Sequence, residues 1–481
     1  SGGGAGEPAV LRLVQNFNPA WKFYLGDRPG AEEAAYDDSS WSDVGLPHTF
    51  SLPYFGWKST YYGTGWYRKH LNVPAEWSDK RVSIEFQGSF QDTQVFGNGS
   101  EVGRHLGGFN GFSYDITPNL QAGDNVIAVR VNNDWNAQVA PRGGDHQFDG
   151  GIYRNVFVVV TDPLHVTWYG TWVTTPDLAT TAGAASPVHI QTEIRNDGDA
   201  STECTLTTDI VDANGLVVTT VTSAQTVAPG TTAVFEQTTP DVQQPSLWHP
   251  DHPSLYRAIS TVARDGVDVD TFSTTFGFRY FSWTAEEGFS LNGSRFYFHG
   301  ANVHQDHAGW GNGVTDSALH RDVAMVKEAG FDFIRGSHYP KAPAFADACD
   351  EEGVIFWSEN CFWGSAAWGE GSFNDGGAYP SGAGDQEPFE QNVLQSLADM
   401  IRIHRNHPSI VVWSVSNEPY FTADSTMDRM RGLLTKQVDL AHELDPTRPA
   451  AVGGVQRPTG DGRIDRLGDV AGYNGDGAKI E

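Results

Sequence analysis

The sequence predicts a multidomain chain: two β-sandwiches, then a barrel of alternating strands and helices that is incomplete at residue 481. Three observations lead there. Residues 10–161 hold short alternating strands separated by glycine-rich turn signals. Residues 163–278 are dominated by Thr, Val and Ala, with turns at Asn196-Asp197-Gly198, Asn214-Gly215 and Pro229-Gly230. From Glu287 the pattern becomes strand, amphipathic helix, strand. At about 150 residues per domain, 481 residues also imply three domains.

In order, residues 1–162 are expected to form a jelly-roll-like sandwich. Arg81–Phe86 and Asn125–Val131 alternate clearly between apolar and polar residues. Residues 163–280 read as an immunoglobulin-like sandwich. Residues 281–481 read as a (β/α)8 TIM barrel through about its first six strands, each followed by a helix-like segment. The strands are Phe296–Asn302, Phe331–Arg335, Val354–Glu359, Ile410–Ser416, Ala450–Val455 and Asp469–Asn474. A closed barrel takes roughly 250 residues, and an open one leaves an unpaired edge and exposed core. The expectation is therefore that the polypeptide continues beyond Glu481, or that a second polypeptide closes the barrel.

Composition excludes some partners. A net charge of −29 disfavours nucleic acid and anionic membranes, and no apolar run reaches transmembrane length. The three cysteines, Cys204, Cys349 and Cys361, are too widely spaced for a disulfide framework or zinc pattern. The 15 Trp, 16 Tyr and 27 Phe suit stacking on sugar faces and packing of large β cores alike. The leader Ser1–Gly6 fits a remainder after signal removal, which favours a periplasmic or secreted location slightly over a cytoplasmic one. A homo-oligomer is left open.

The chemistry is carried by Trp413-Ser-Val-Ser-Asn417-Glu418-Pro419, which follows Arg405-Asn-His-Pro-Ser-Ile410. The apolar run Ile410–Trp413 reads as a buried parallel strand. Glu418 then stands at its carboxyl end, where such barrels place their chemistry. A carboxyl group there, with an amide beside it, suits general acid work on a glycosidic oxygen. The plainer reading, a helix-start Glu after a core strand, leaves the preceding Arg405–Ile410 run unexplained.

This stretch resembles the acid/base signature of glycoside hydrolase family 2, which includes β-galactosidases, β-glucuronidases and β-mannosidases. Trp41, Leu46-Pro47-His48, Gly65–Arg68 and Gly150–Arg154 resemble that family's sugar-binding domain. Ser246–Tyr256 resembles its middle domain, and Gly277-Phe278-Arg279 its entry into the barrel. Ile334–Pro340 with Cys349–Phe356 resembles the second signature, departing from it at Asp332 and Gly336.

The resemblance implies roles. Glu418 is the general acid/base, and Asn417 the ligand of the sugar 2-hydroxyl. His304, His338, Asp145, Asn474 and Asp476 are substrate-binding candidates. Arg335 is expected to orient Glu418 or the nucleophile. The nucleophile itself falls on the seventh strand, beyond Glu481; neither Glu359 nor Asp476 matches its position. Trp357, Trp363 and Trp368 are candidates for a stacking platform. Asn360–Gly364 lacks the Glu and His ligands that hold a catalytic magnesium in the large β-galactosidases, so no metal or cofactor is predicted, and a structural or activating divalent cation is left open. The expected activity is a retaining exo-β-glycosidase, first a β-galactosidase, then a β-glucuronidase. The expectation of another class is a non-catalytic carbohydrate-binding protein without the nucleophile.

Overall fold

A computed structural model describes residues 11–52, 60–144, 146–365, 367, 369–455 and 464–474. The first sandwich packs a six-stranded antiparallel sheet against a four-stranded one. Its inner positions are those that alternation selects: Val82, Ile84 and Phe86 are buried from one sheet, and Val95, Val129 and Val131 from the other. The second sandwich pairs three strands, from residues 164–174, 189–196 and 231–238, with four, from residues 202–211, 217–227, 256–264 and 267–276. That is the seven-strand layout of an immunoglobulin-like domain.

A small antiparallel meander over residues 281–295 leads into six consecutive parallel strands. These are β1 (Gly300–Asn302), β2 (Phe333–Arg335), β3 (Ile355–Glu359), β4 (Ile410–Asn417), β5 (Ala450–Val455) and β6 (Val470–Tyr473). Four helices cover the outer face: α1 (Asp316–Glu328), α2 (Pro343–Glu352), α3 (Ala383–His404) and α4 (Met427–Leu444). Every residue of β3, β4 and β5 is buried, as strands covered on both faces must be. Among the described residues, no helix is long and apolar enough to cross a membrane.

One sequence expectation needs correction. The strand expected at Phe296–Asn302 is confined to Gly300–Asn302, because the Asp332 carboxylate takes the His299 N–H at 2.8 Å where a strand carbonyl would. Phe298 instead stacks on Phe333, with ring centres 4.6 Å apart. Most of the connection in which a helix is expected after the fifth strand lies outside the described residues, which hold a 3-10 turn at Ile464–Arg466.

The first sandwich sits over the carboxyl ends of β1–β4, and buried Arg154 is the strut that holds it there. Its guanidinium donates to Phe109 O (2.6 Å) within the sandwich, and to Gln305 Oε1 (2.9 Å) and Pro340 O (2.8 Å) in the barrel loops. On the other side, Arg402 at the end of α3 bonds Glu193 Oε2 of the second sandwich at 2.7 Å. Arg154→Ala should therefore cost on the order of 3 kcal/mol, since it strands buried acceptors on both sides. A urea midpoint shifted by less than about 0.5 kcal/mol, the range of ordinary surface changes, would show that the strut is dispensable.

Candidate active site

Strand β4 delivers two adjacent side chains to the barrel mouth. Asn417 is its last residue, and Glu418 turns out of the strand with φ +47°, a region uncommon for residues other than glycine. The turn is pinned by the Glu418 N–H on Gly453 O, at 3.2 Å. It needs room on β5. A Cβ on Gly454 (φ +65°) would lie 2.5 Å from the Glu418 nitrogen and 2.7 Å from its Cγ. One on Gly453 would lie 2.7 Å from Glu359 Oε2. Paired glycines inside a strand mark such a close approach.

Behind this pair lies a fully sealed carboxylate. Glu359, at the end of β3, is 0% exposed. Arg335, from the end of β2, meets it with two parallel bonds of 3.0 Å, Nε to Oε2 and Nη2 to Oε1. His338 Nδ1 lies 2.7 Å from Oε1, while Trp357 Nε1 (3.1 Å) and Ser414 Oγ (2.8 Å) donate to Oε2. Burial pushes the Glu359 carboxyl up, but the Arg335 charge, with His338 and Ser414, outweighs it and holds the pKa at about 2.

Arg335 then directs two further N–H groups to two amides. Nη1 reaches Asn474 Oδ1 and Nη2 reaches Asn417 Oδ1, both at 2.9 Å. Asn474, just past β6, passes the order on: its Nδ2 donates to Asn417 Oδ1 (3.0 Å) and to Glu418 Oε1 (2.8 Å). With its oxygen doubly occupied, Asn417 offers its NH2 group to a ligand.

Glu418, Asn417, Asn474, His338, His146 and Trp363 line one cavity of about 690 Å³. A smaller cavity of about 260 Å³ adjoins it, lined by His304, His146, Asp306 and Tyr339. His304 Nδ1 lies 3.2 Å from the Tyr339 hydroxyl. Burial, then the charges of Lys341 and the two neighbouring histidines, lowers the His304 pKa to about 3, so the ring is neutral.

Of the residues singled out from sequence, the structure gathers Glu418, Asn417, Asn474 and His338 around one cleft and sets His304 beside it. Asp145, Asp476 and Trp368 lie outside the described residues. Arg335, expected to orient Glu418 or the nucleophile, grips Glu359 with its guanidinium and reaches Glu418 through Asn474. Trp357 is pinned behind the site by Glu359, while Trp363 stays in the cavity wall. Sequence reasoning missed Glu359 as the centre of the network, the need for Gly454, and His146. The double glycine was the available signal for Gly454, and Asp145 in the same loop for His146.

The Glu359 carboxyl loses protons more easily in the folded protein than in the unfolded chain. Its contribution to stability is therefore complete above pH 4.5 and is lost as pH falls towards 2. Glu359→Gln should remove that dependence and cost on the order of 3 kcal/mol at neutral pH. Denaturant titrations of both proteins at pH 7 and pH 3 check this; equal pH slopes would refute it. Gly454→Ala should displace Glu418 and reduce any turnover at least about tenfold with unchanged secondary structure by circular dichroism.

Comparison with known proteins agrees along almost the whole chain. Residues 28–163 match the model of the glycosyl hydrolases family 2 sugar binding domain, residues 165–279 the glycosyl hydrolases family 2 model, and residues 284–467 its TIM barrel domain. The β-galactosidase BoGH2A of Bacteroides ovatus is 32% identical, over 96% of this chain and 56% of that protein. A β-glucuronidase of Bacteroides fragilis is 30% identical, over 90% and 60% respectively. A solved structure of Bacteroides uniformis β-glucuronidase 2, covalently bound to cyclophellitol-6-carboxylate aziridine, superposes with a TM-score of 0.88 at 30% identity, over 96% of this chain and 55% of that one. The chain thus spans little more than half the length of these relatives. Its three domains and both of its barrel signatures make it a member of glycoside hydrolase family 2.

Proposed function

We propose that the protein removes non-reducing terminal β-linked sugars with retention of configuration, with Glu418 as general acid/base. The observation that carries this is the placement of Glu418: one oxygen is held by Asn474, and the carboxylate lines a sugar-sized cleft beside the Asn417 amide. In the first step Glu418 protonates the departing glycosidic oxygen while a second carboxylate attacks the anomeric carbon. In the second, Glu418 takes a proton from water, which displaces that carboxylate. Glu359 is unsuited to the attack, because five hydrogen-bond contacts occupy it and it has no exposed surface. The attacking group is the one the family resemblance places beyond residue 481. The covalently modified Bacteroides uniformis relative supports a double displacement.

β-Galactosides and β-glucuronides are the two substrate classes, since relatives of both names match at about the same identity. The galactoside is the first to test. Arg335 is committed to Glu359 and the two amides rather than to a uronate.

The test is hydrolysis of matched nitrophenyl β-galactoside and β-glucuronide by the protein, beside Glu418→Gln. The variant should lose about 10²–10⁴-fold in turnover. It should lose far less in glycosyl-enzyme formation from a dinitrophenyl glycoside, whose departure needs no proton. Undiminished turnover in Glu418→Gln would remove the acid assignment. Sugar binding without turnover on either class would make this a carbohydrate-binding protein instead.

A further inference from the structure

We propose that His146, His304 and His338 together bind one borderline transition-metal dication, of the Zn²⁺ class, in the wall of the cleft. Three separate stretches of chain supply them: a loop of the first sandwich, the loop after β1 and the loop after β2. Their ligand atoms all lie within 4.8 Å of one another. The ring centres are 4.6 Å apart for His146 and His304, 5.5 Å for His304 and His338, and 5.8 Å for His146 and His338. Imidazoles on one tetrahedral zinc, with bonds of about 2.1 Å, place their nitrogens about 3.4 Å apart and their ring centres about 5 Å apart. The ring centres therefore stand near ligand spacing, and the ligand atoms, within 4.8 Å of one another, draw together on the ion.

The outer contacts point the same way. His338 is held through Nδ1 by the Glu359 carboxylate, and His304 through Nδ1 by the Tyr339 hydroxyl. Each contact directs the opposite nitrogen, Nε2, away from its holder. A carboxylate behind a histidine is the usual support of a metal-bound imidazole, since it fixes the tautomer and raises the ring's basicity. Three imidazole nitrogens suit zinc, copper or nickel rather than magnesium or calcium, which take oxygen ligands. His146 and His338 border the larger cavity, so an ion here keeps a fourth position open to the cleft. Such an ion would also tie the first sandwich to the barrel. The second His/Asp cluster, Asp347, Asp350 and His407, is different: His407 Nδ1 is bonded to Asp350 at 2.6 Å, and Asp350 also receives the Ser409 N–H.

The metal site does not depend on the glycosidase reading, and its test needs no turnover. Co²⁺ is titrated into the 481-residue chain and followed by visible absorption, then displaced with Zn²⁺. The expected result is one Co²⁺ per chain with the intense spectrum of a four-coordinate site. His146→Asn and His304→Asn should each weaken binding at least about tenfold, while Asp347→Asn leaves it unchanged. Near-ultraviolet circular dichroism confirms that the variants are folded, and His146→Gln serves as a second loop variant. The proposal is overturned if no Co²⁺ is taken up, if the His variants bind as tightly as the parent, or if Asp347→Asn is the change that abolishes uptake.

Discussion

The bidentate pair between Arg335 and Glu359 is the interaction on which the rest of the site depends. Glu359 is withdrawn from water and Arg335 nearly so, and a buried pair survives only when its remaining donors and lone pairs are also satisfied. Here four of the five guanidinium N–H groups and both carboxylate oxygens are engaged, and the way they are engaged builds the cleft. The guanidinium keeps two N–H groups for Asn417 and Asn474, and Asn474 hands one of its own to Glu418. Four strand ends, those of β2, β3, β4 and β6, are thus joined by one chain of hydrogen bonds. The orientation of the exposed carboxylate is inherited from a sealed one, and a network of this kind is stiff because no member can turn without stranding another.

That frame fixes one side of the cleft, and the first sandwich provides the other. Arg154 anchors the sandwich loop region to Gln305 and Pro340, one residue past His304 and two past His338. The Asn312 N–H on Asp149 Oδ2, at 2.9 Å, adds a second fixed point. His146 is thereby brought against two barrel histidines that it could not approach from sequence neighbours alone. The cleft is a product of domain docking as much as of the barrel.

Much of this was legible in the residues. Glu418 and Asn417 were readable because the apolar run Ile410–Trp413 opens a strand that ends in this polar pair. The domain order was readable because alternation with period two gives way to strand and helix near Glu287. What was not legible is how a strand-end carboxylate is used. Glu359 and Glu418 are the same residue type at equivalent ends of β3 and β4, and only the third dimension shows that one is ringed by donors while the other meets the cavity. Arg335 shows the same limit: its bidentate partner is 24 residues away on the neighbouring strand, and it reaches the motif glutamate through Asn474. The shortened β1 was hidden for a related reason: Asp332 replaces a backbone acceptor, and a side chain acting as backbone leaves no periodic trace.

The network also decides which oxygen of Glu418 carries the proton in the acid role proposed for it. Oε1 accepts the Asn474 N–H at 2.8 Å. Asn474 cannot reverse its amide to accommodate a proton there, because its own oxygen is engaged by Arg335. A proton placed on Oε1 would compete with that bond, whereas one on Oε2 leaves every contact intact. The donated proton therefore resides on Oε2, and the same oxygen must later receive the proton from water. Arg335 thus fixes the geometry of a proton transfer at an atom it does not touch, through a single amide.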